Sequence, residues 1–413
     1  MSRRDPAAPI WVVGTFDTKA AELGFLAGLL RARGVAVRTV DIGTRSSPGL
    51  ADIAAEQVAD AHPSGRSAVL QRSDRGESVI AMAEALARCV DRAWAAGEIG
   101  GMLGIGGSGG SSMIAPAMRR LPIGTPKLLV STMAAGNVAP YVDVMDLMLM
   151  YPVTDLAGLN RLSRTVLANA AHAMAGMACW PAPPPEGTER PAVGLSMFGV
   201  TTPCVQAVRL ALGERCDAQV FHANGPGGRA LEALAAAGLL QALVDVTTTE
   251  VGQHLHGGVC DAGPGRLDAA ARHGLPWVGS VGALDMVNFG PLATVPAERR
   301  GRRLHVHNAD VTLMRTNADE LQASGRRLAE QLNRAAGPVR LLLPLRGLSM
   351  LDAPGEVFHD PAADAALFDT LRRELRVDER RRLVEVDAHI NDAAFATALV
   401  RALGEVLPAA TAR

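Results

Sequence analysis

Aromatic residues make up only 3% of the 413 positions, too few for the base-stacking platforms of single-strand-binding proteins. No stretch has the apolar length a bilayer-crossing helix needs, and the apolar run near the start, Ile10 to Val13, is too short for a signal-peptide core. A charge excess of one sign is also missing: 41 basic residues face 42 acidic ones, so no broad field draws the chain to nucleic acid or to an anionic membrane. The five cysteines, Cys89, Cys179, Cys204, Cys216 and Cys260, form no C-x-x-C pair, which argues against a zinc knuckle and a disulfide framework and fits a reducing cytoplasm. What is present, 48% apolar and 20% charged residues over this length, reads as a soluble chain of two domains, each with an ample core.

Both halves repeat a strand, polar turn, helix grammar. In the first, the strand Ile10 to Val13 runs into the turn Gly14-Thr15-Phe16-Asp17-Thr18-Lys19 and a helix with Leu23, Leu26, Leu29 and Leu30 on one face; Gly34 stops it before a strand at Val35 to Ile42. A loop-like region that includes Arg72, Ser73 and Asp74 leads to a helix carrying Met82, Leu86, Val90 and Trp94. A short strand, Gly101 to Ile105, then enters the glycine-rich stretch, with a helical pattern from about Met113. Lys127 to Ser131 reads as a strand and Asp155 to Met177 as a helix, before Trp180-Pro181-Ala182-Pro183-Pro184-Pro185 breaks the pattern. The second half restarts with the strand Ala192 to Phe198 and the turn Gly199-Val200-Thr201-Thr202-Pro203, a weak internal repeat of the first. A charged helical tail is expected from about Ala363. The expected architecture is α/β: two Rossmann-like, doubly wound subdomains with mainly parallel sheets, residues 1–180 and 192–413, joined by a Pro-rich linker over 181–191.

The chemistry concentrates in two places of the first half. Gly104 to Gly110 holds five glycines and one serine in seven residues, so its backbone can approach a ligand closely. Successive N–H groups and the dipole of the helix behind them would cradle an anion, with Gly104, Gly106, Gly107, Ser108, Gly109, Gly110 and Ser111 as the contacts. Gly104-x-Gly106-x-x-Gly109 fits a dinucleotide fingerprint in letters but lacks the acidic residue about twenty positions on. Gly110 and Ser111 stand where a P-loop needs Lys and Ser/Thr, and Gly106-Gly107-Ser108-Gly109-Gly110 spells G-x-S-x-G with no assignable triad. Thr15, Phe16, Asp17, Thr18 and Lys19 form the second place: Lys19 could hold a phosphate and Asp17 a Mg²⁺, against the plain alternative that Asp17 or Thr18 caps a helix. His254-x-His256 and His305-x-His307 are spaced as pairs on one side of a strand, with Glu250, Asp261 and Asp310 nearby. They keep a metal-dependent hydrolase or lyase open, although neither pair sits in a stringent ligand motif.

Beyond these spacings, long words of the sequence resemble a known family. Gly14-Thr15-Phe16-Asp17-Thr18-Lys19, Gly104 to Gly110, Pro126-Lys127, Gly158-Leu159-Asn160, Met197 to Cys204, Thr247 to Glu250, Ala283 to Gly290, Thr312 to Thr316 and His389-Ile390-Asn391-Asp392 are similar to the ATP-binding domain of the tomato mosaic virus resistance protein and its microbial relatives. Ser111, Asn224 and Val281 depart from the threonine, threonine and proline usual at those places. The resemblance implies a homodimer of two-subdomain protomers that binds ATP with Mg²⁺, and it supports the two turns above as the nucleotide contacts. It also leaves room for a small acidic metabolite in an interdomain cleft, held by His222, Thr248, Glu250, Asp285 and Asn288. Whether ATP is a substrate or only the effector of a nucleotide-dependent regulator or assembly protein stays open at this level.

Overall fold

The structure, a computed structural model, describes residues 8–44, 49–71, 74–180 and 190–407. The chain divides into two compact units, Met1–Pro185 and Glu186–Arg413. Arg72 and Ser73, and the linker positions 181–189, lie outside the described residues.

In the first unit five strands, β1 (Ile10–Gly14), β2 (Val37–Asp41), β3 (Gly101–Gly106), β4 (Lys127–Ser131) and β5 (Met148–Met150), pair in parallel in the order β2-β1-β3-β4-β5. β1, β3 and β4 are buried along their whole lengths, as strands covered by helices on both faces must be. Alternate residues of β1 serve different cores. Trp11 and Val13 pack with Met82, Leu86 and Met113, and Ile10 and Val12 pack with Leu23, Leu26 and Leu167.

In the second unit β6 (Ala192–Met197), β7 (Asp217–His222), β8 (Ala242–Thr247), β9 (Trp277–Gly282), β13 (Val339–Pro344) and β14 (Arg381–Val386) form a parallel sheet in the order β14-β13-β9-β8-β6-β7. A separate antiparallel sheet, β10-β12-β11, is built from β10 (Met286–Phe289), β11 (Leu304–Asn308) and β12 (Val311–Arg315). Each unit therefore starts one strand in from the edge of its sheet, lays its second strand on that edge and returns to place its third on the inner side. The expected pair of Rossmann-like α/β subdomains is the observed architecture, and the internal repeat is one of topology.

Several boundaries differ from the sequence reading for identifiable reasons. The helix after the glycines runs Ser108–Met118 and begins five residues before Met113, because the buried end of β3 commits the chain to turn at once in spite of poor glycine propensity. The helix expected from Asp155 runs Arg161–Cys179, started by Asn160, whose side chain accepts from the N–H groups of Leu162 and Ser163. The charged tail is a helix, Pro361–Glu374, then β14, then a helix, Ala393–Val406; β14 escaped notice because an edge strand mixes charged and apolar residues.

Candidate functional site

The order of the first sheet reverses between β1 and β3, and a doubly wound sheet opens its crevice outside the carboxyl ends of the strands that flank such a reversal. Val13 pairs with Gly104 across this junction, so the turn after Gly14 and the turn after Gly106 leave the sheet side by side. Between them lies a cavity of ≈ 480 Å³, lined by Thr15, Asp17, Thr18, Lys19, Thr44, Arg75, Ser78, Val79, Gly107, Ser108, Gly109, Gly110 and Met113. Three helices begin at it: Phe16–Ala32, Arg75–Ala95 and Ser108–Met118. Their dipoles aim positive ends at one volume, which favours an anion there. Among the described residues, the charged side chains on its wall are two cations, Lys19 and Arg75, and one carboxylate, Asp17.

The three helix starts are finished differently. Asp74 caps Arg75–Ala95 by accepting from the Glu77 N–H at 2.8 Å. Phe16–Ala32 borrows its cap from β2: the Asp41 carboxylate accepts from the N–H groups of Phe16 at 3.0 Å and Gly43 at 2.7 Å. Burial raises the Asp41 pKa, and those two N–H groups pull it back down. Neither Asp17 nor Thr18 caps its helix; Thr15 takes that position, and its hydroxyl bonds that of Thr18 at 2.8 Å. Ser108–Met118 has Gly107 at its N-cap and no side-chain cap at all, so its first N–H groups are left to solvent or to a ligand.

The glycines of this stretch do two different jobs, and neither uses positive φ, which none of them has. A Cβ on Gly104 would stand 2.7 Å from Ile114 Cγ2, and one on Gly106 would stand 2.8 Å from the Ser111 nitrogen, so both are required for close packing of helix on strand. Gly109 has nothing within 4 Å of a Cβ, and Gly107 meets only Thr132 Oγ1 at 3.7 Å. Among the described residues nothing demands glycine at these two positions, and both border the cavity. Glycine there leaves the backbone open to close approach from the cavity.

Of the residues singled out by sequence, Thr15, Asp17, Thr18, Lys19, Gly107, Ser108, Gly109 and Gly110 are brought to one wall. Phe16 is core, Gly104 and Gly106 are packed, and Ser111 is buried with its hydroxyl 2.6 Å from that of Ser131. Thr44, Arg75, Ser78, Val79 and Met113 complete the lining. Sequence reasoning passed over Arg75, and its signal was there: it follows Asp74, an N-cap residue three before Glu77, so it stands at a helix start.

The second-half candidates lie in another setting. Thr248, Glu250, Asp285 and Asn288 are buried, and His222 is exposed and stacked on Phe198 at 5.3 Å. The Thr248 hydroxyl donates to the Ser280 carbonyl, Asn288 Oδ1 accepts from Gln253, and Asp285 Oδ2 accepts from the Ser349 hydroxyl at 2.7 Å. Glu250 accepts from the N–H groups of Gly225 at 2.7 Å and Gly228 at 3.0 Å, and from Arg266 Nε at 2.7 Å. Arg266, fully enclosed, also holds Asp245 with two hydrogen bonds and reaches Glu232. Burial comes first for Glu232 too and raises its pKa against the charge of Arg266.

The two sheets can be compared position by position at the end of the third strand. Gly107, Ser108 and Gly109 follow β3 as N-cap and first two helical residues; Thr248, Thr249 and Glu250 follow β8 in the same roles. In the first unit Gly109 faces open space toward the helix that starts at Arg75. At the matching place of the second, the Glu250 carboxylate spans the gap to the helix Pro226–Ala236 and takes two N–H groups at its start.

The two histidine pairs separate. His254 and His256 lie in the helix Thr249–His256, where a spacing of two points them apart: His254 faces Asp261 at 3.1 Å and His256 faces the Glu320 carbonyl at 3.1 Å. His305 and His307 do share one side of β11, with ring centroids 6.4 Å apart. Among the described residues no group of three or more His, Cys, Asp or Glu is placed to hold a metal ion, and no helix is long and apolar enough to cross a membrane. The five cysteines are all free thiols; burial pushes the Cys204 thiol up to about 12 and the Cys260 thiol up to about 11.

Residues 8–182 match the model of the uncharacterised protein family (UPF0261) N-terminal domain, and residues 190–407 match that of the UPF0261 C-terminal domain. The UPF0261 protein mlr3387 of Mesorhizobium japonicum is 53% identical over 390 residues, 94% of this chain and 97% of its own length. A UPF0261 protein of Clostridium tetani is 41% identical over 95% of this chain and 98% of its own. The ToMV resistance protein Tm-1(GCR237) of Solanum lycopersicum is 40% identical over 97% of this chain, which spans 56% of the tomato protein. The resemblance drawn from the sequence holds at the level of the family.

Proposed function

This chain belongs to the UPF0261 family in both of its units, and on that premise we propose that it is a nucleotide-binding protein that takes ATP with Mg²⁺ in the cavity between the ends of β1 and β3. The observation that carries the reading is the pair Gly107 and Gly109: glycine without an internal steric reason, on an uncapped helix start, facing a cavity walled by Lys19 and Arg75. In this reading the N–H groups at the start of Ser108–Met118 bind the phosphates. Lys19 and Arg75 balance their charge. Val79 and Met113 supply the apolar part of the wall for the rest of the nucleotide.

The donor set suits Mg²⁺, a hard cation that favours oxygen and keeps most of its waters: Asp17 is an exposed carboxylate on the wall, with the hydroxyls of Thr15, Thr18 and Ser108 beside it. Mg²⁺ would arrive with the nucleotide and neutralise part of the phosphate charge. Nothing on this wall is an assigned nucleophile or general base, so the proposal is for binding, with the nucleotide as substrate or effector. The choice of ATP over other polyphosphates comes from the family resemblance.

The test is titration calorimetry of the purified protein with ATP and Mg²⁺, before and after Gly107→Val. A Cβ there meets only Thr132 Oγ1 at 3.7 Å, so the larger side chain enters the cavity and ATP binding should be lost in a folded protein. Unchanged affinity in the variant would sink the assignment.

A further inference from the structure

Lys19 belongs to two structures at once. Its side chain lines the cavity, yet its ammonium donates to the carbonyl of Leu156 at 2.9 Å, 137 positions away in sequence. Lys19 also breaks the helix that carries it, with φ −133° and ψ 25° inside Phe16–Ala32. One turn on, buried Glu22 accepts from the Gly158 N–H at 2.6 Å. The helix therefore clips the segment 151–158 at two points, and one clip is a cation on the wall of an anion site.

The clipped segment has reasons to leave. Val153 is β-branched and sits at φ +68°, in the left-handed region that such side chains avoid. The Thr154 hydroxyl is buried without a hydrogen-bond partner among the described residues. Tyr151 and Val153 expose much of their apolar surface, and the segment follows β5, the short edge strand of the sheet. A strained turn persists only when its surroundings over-determine it, and the Lys19 bond is one of two hydrogen bonds among the described residues that tie this segment to the helix Phe16–Ala32.

We propose that Lys19 is a latch that couples occupancy of the cavity to the conformation of residues 151–158. An anion in the cavity draws the ammonium toward itself, because a charged acceptor outcompetes a neutral carbonyl. Leu156 then loses its partner, and the strain at Val153 is released by moving the turn. The ligand acts on this equilibrium only through its different affinity for the latched and unlatched states, as any such coupling requires. The inference rests on the reading that the cavity binds the phosphates of a nucleotide, and the experiment separates the two.

Hydrogen exchange read by mass spectrometry on the full chain follows two peptides, one over 107–113 and one over 151–158, with no addition, with ATP and Mg²⁺, and with inorganic triphosphate. The expected result is slower exchange over 107–113 on adding either anion and faster exchange, by roughly tenfold, at Thr154, Leu156 and Gly158. Lys19→Met, which keeps the stem and removes the cation, should show the faster exchange over 151–158 with nothing added. Protection over 107–113 with no change over 151–158 overturns the latch and leaves nucleotide binding standing. Absence of protection over 107–113 with either anion overturns both, and Lys19→Met indistinguishable from wild type over 151–158 overturns the latch by itself.

Discussion

Adding one methyl group at two neighbouring glycines should have opposite effects on this protein. At Gly106 a Cβ would lie 2.8 Å from the Ser111 nitrogen and 2.9 Å from two backbone atoms of Gly110, so the start of the helix Ser108–Met118 must shift. Overpacking of this kind costs about 1–3 kcal/mol. Gly109 is the second residue of that helix and a Cβ there meets nothing within 4 Å, so replacing glycine by alanine should stabilise the unit by up to about 1 kcal/mol through helix propensity. The same methyl projects into the cavity and keeps a phosphate off the backbone. Losing one hydrogen bond to a charged group, about 1.5–3 kcal/mol, weakens ATP binding by roughly tenfold to a hundredfold. Differential scanning calorimetry and titration calorimetry, run on the same samples, read both quantities. Gly109→Ala should raise the melting temperature by about 1–4 °C while weakening ATP, and Gly106→Ala should lower it. A Gly109→Ala protein that is as stable as expected and binds ATP as tightly as wild type would refute the backbone-approach argument, since it leaves glycine there without a cause.

Two further outcomes follow from the charged groups. Arg75 is exposed on the cavity wall and has no ion-pair partner among the described residues, so Arg75→Ala should raise the Kd for ATP by about tenfold and that for AMP far less; equal losses would place it away from the terminal phosphates. In the second unit Arg315 meets Asp364 at 2.7 Å and Asp352 at 3.6 Å, with Asp285 close by. Burial first, and the charge of Asp352 second, raise Asp285 from 3.8 to about 7 and Asp364 from 3.8 to about 8. A carboxyl raised in the folded state stabilises it most when protonated, so this contribution is complete below about pH 4, declines steadily as pH rises from there, and is gone once pH has passed about 7 and then 8. Asp364→Asn stays neutral across that range. Its urea midpoint should decline less than the wild type's between about pH 6 and pH 9, and parallel declines would show that this cluster is not the source.

The sequence made the frame of the site legible and hid its other wall. A glycine run or a Gly-Thr turn at the end of an apolar strand has a local cause, so β1, β3 and the helices behind them follow from residues close together in the chain. Arg75, Ser78 and Val79 reach the cavity only because the helix Arg75–Ala95 packs against the helix Ser108–Met118, and no short-range pattern encodes that meeting. The same limit explains Phe16 and Ser111, which sit inside the right motifs but point into the core and to Ser131. In the second half, Glu250 and Asp285 look like ligands in a list of polar residues; their partners, Arg266 and Ser349, lie 16 and 64 positions away. The His254 and His256 spacing reads as a strand pair until the local conformation is known, because two residues apart means the same side of a strand and different sides of a helix.

The exchange of Gly109 for Glu250 at the matching place of the two sheets has a thermodynamic consequence. The second unit carries its anion covalently, so the field of its converging helix ends is compensated at any solute concentration. On the proposed reading the first leaves that compensation to an anion from solution, and a solute that binds only the folded state adds RT ln(1 + [L]/Kd), about 2.7 kcal/mol at a hundredfold excess over Kd. Were ATP that solute, the two halves of one chain would differ in what sets their persistence: one by its own sequence, the other by the nucleotide level around it.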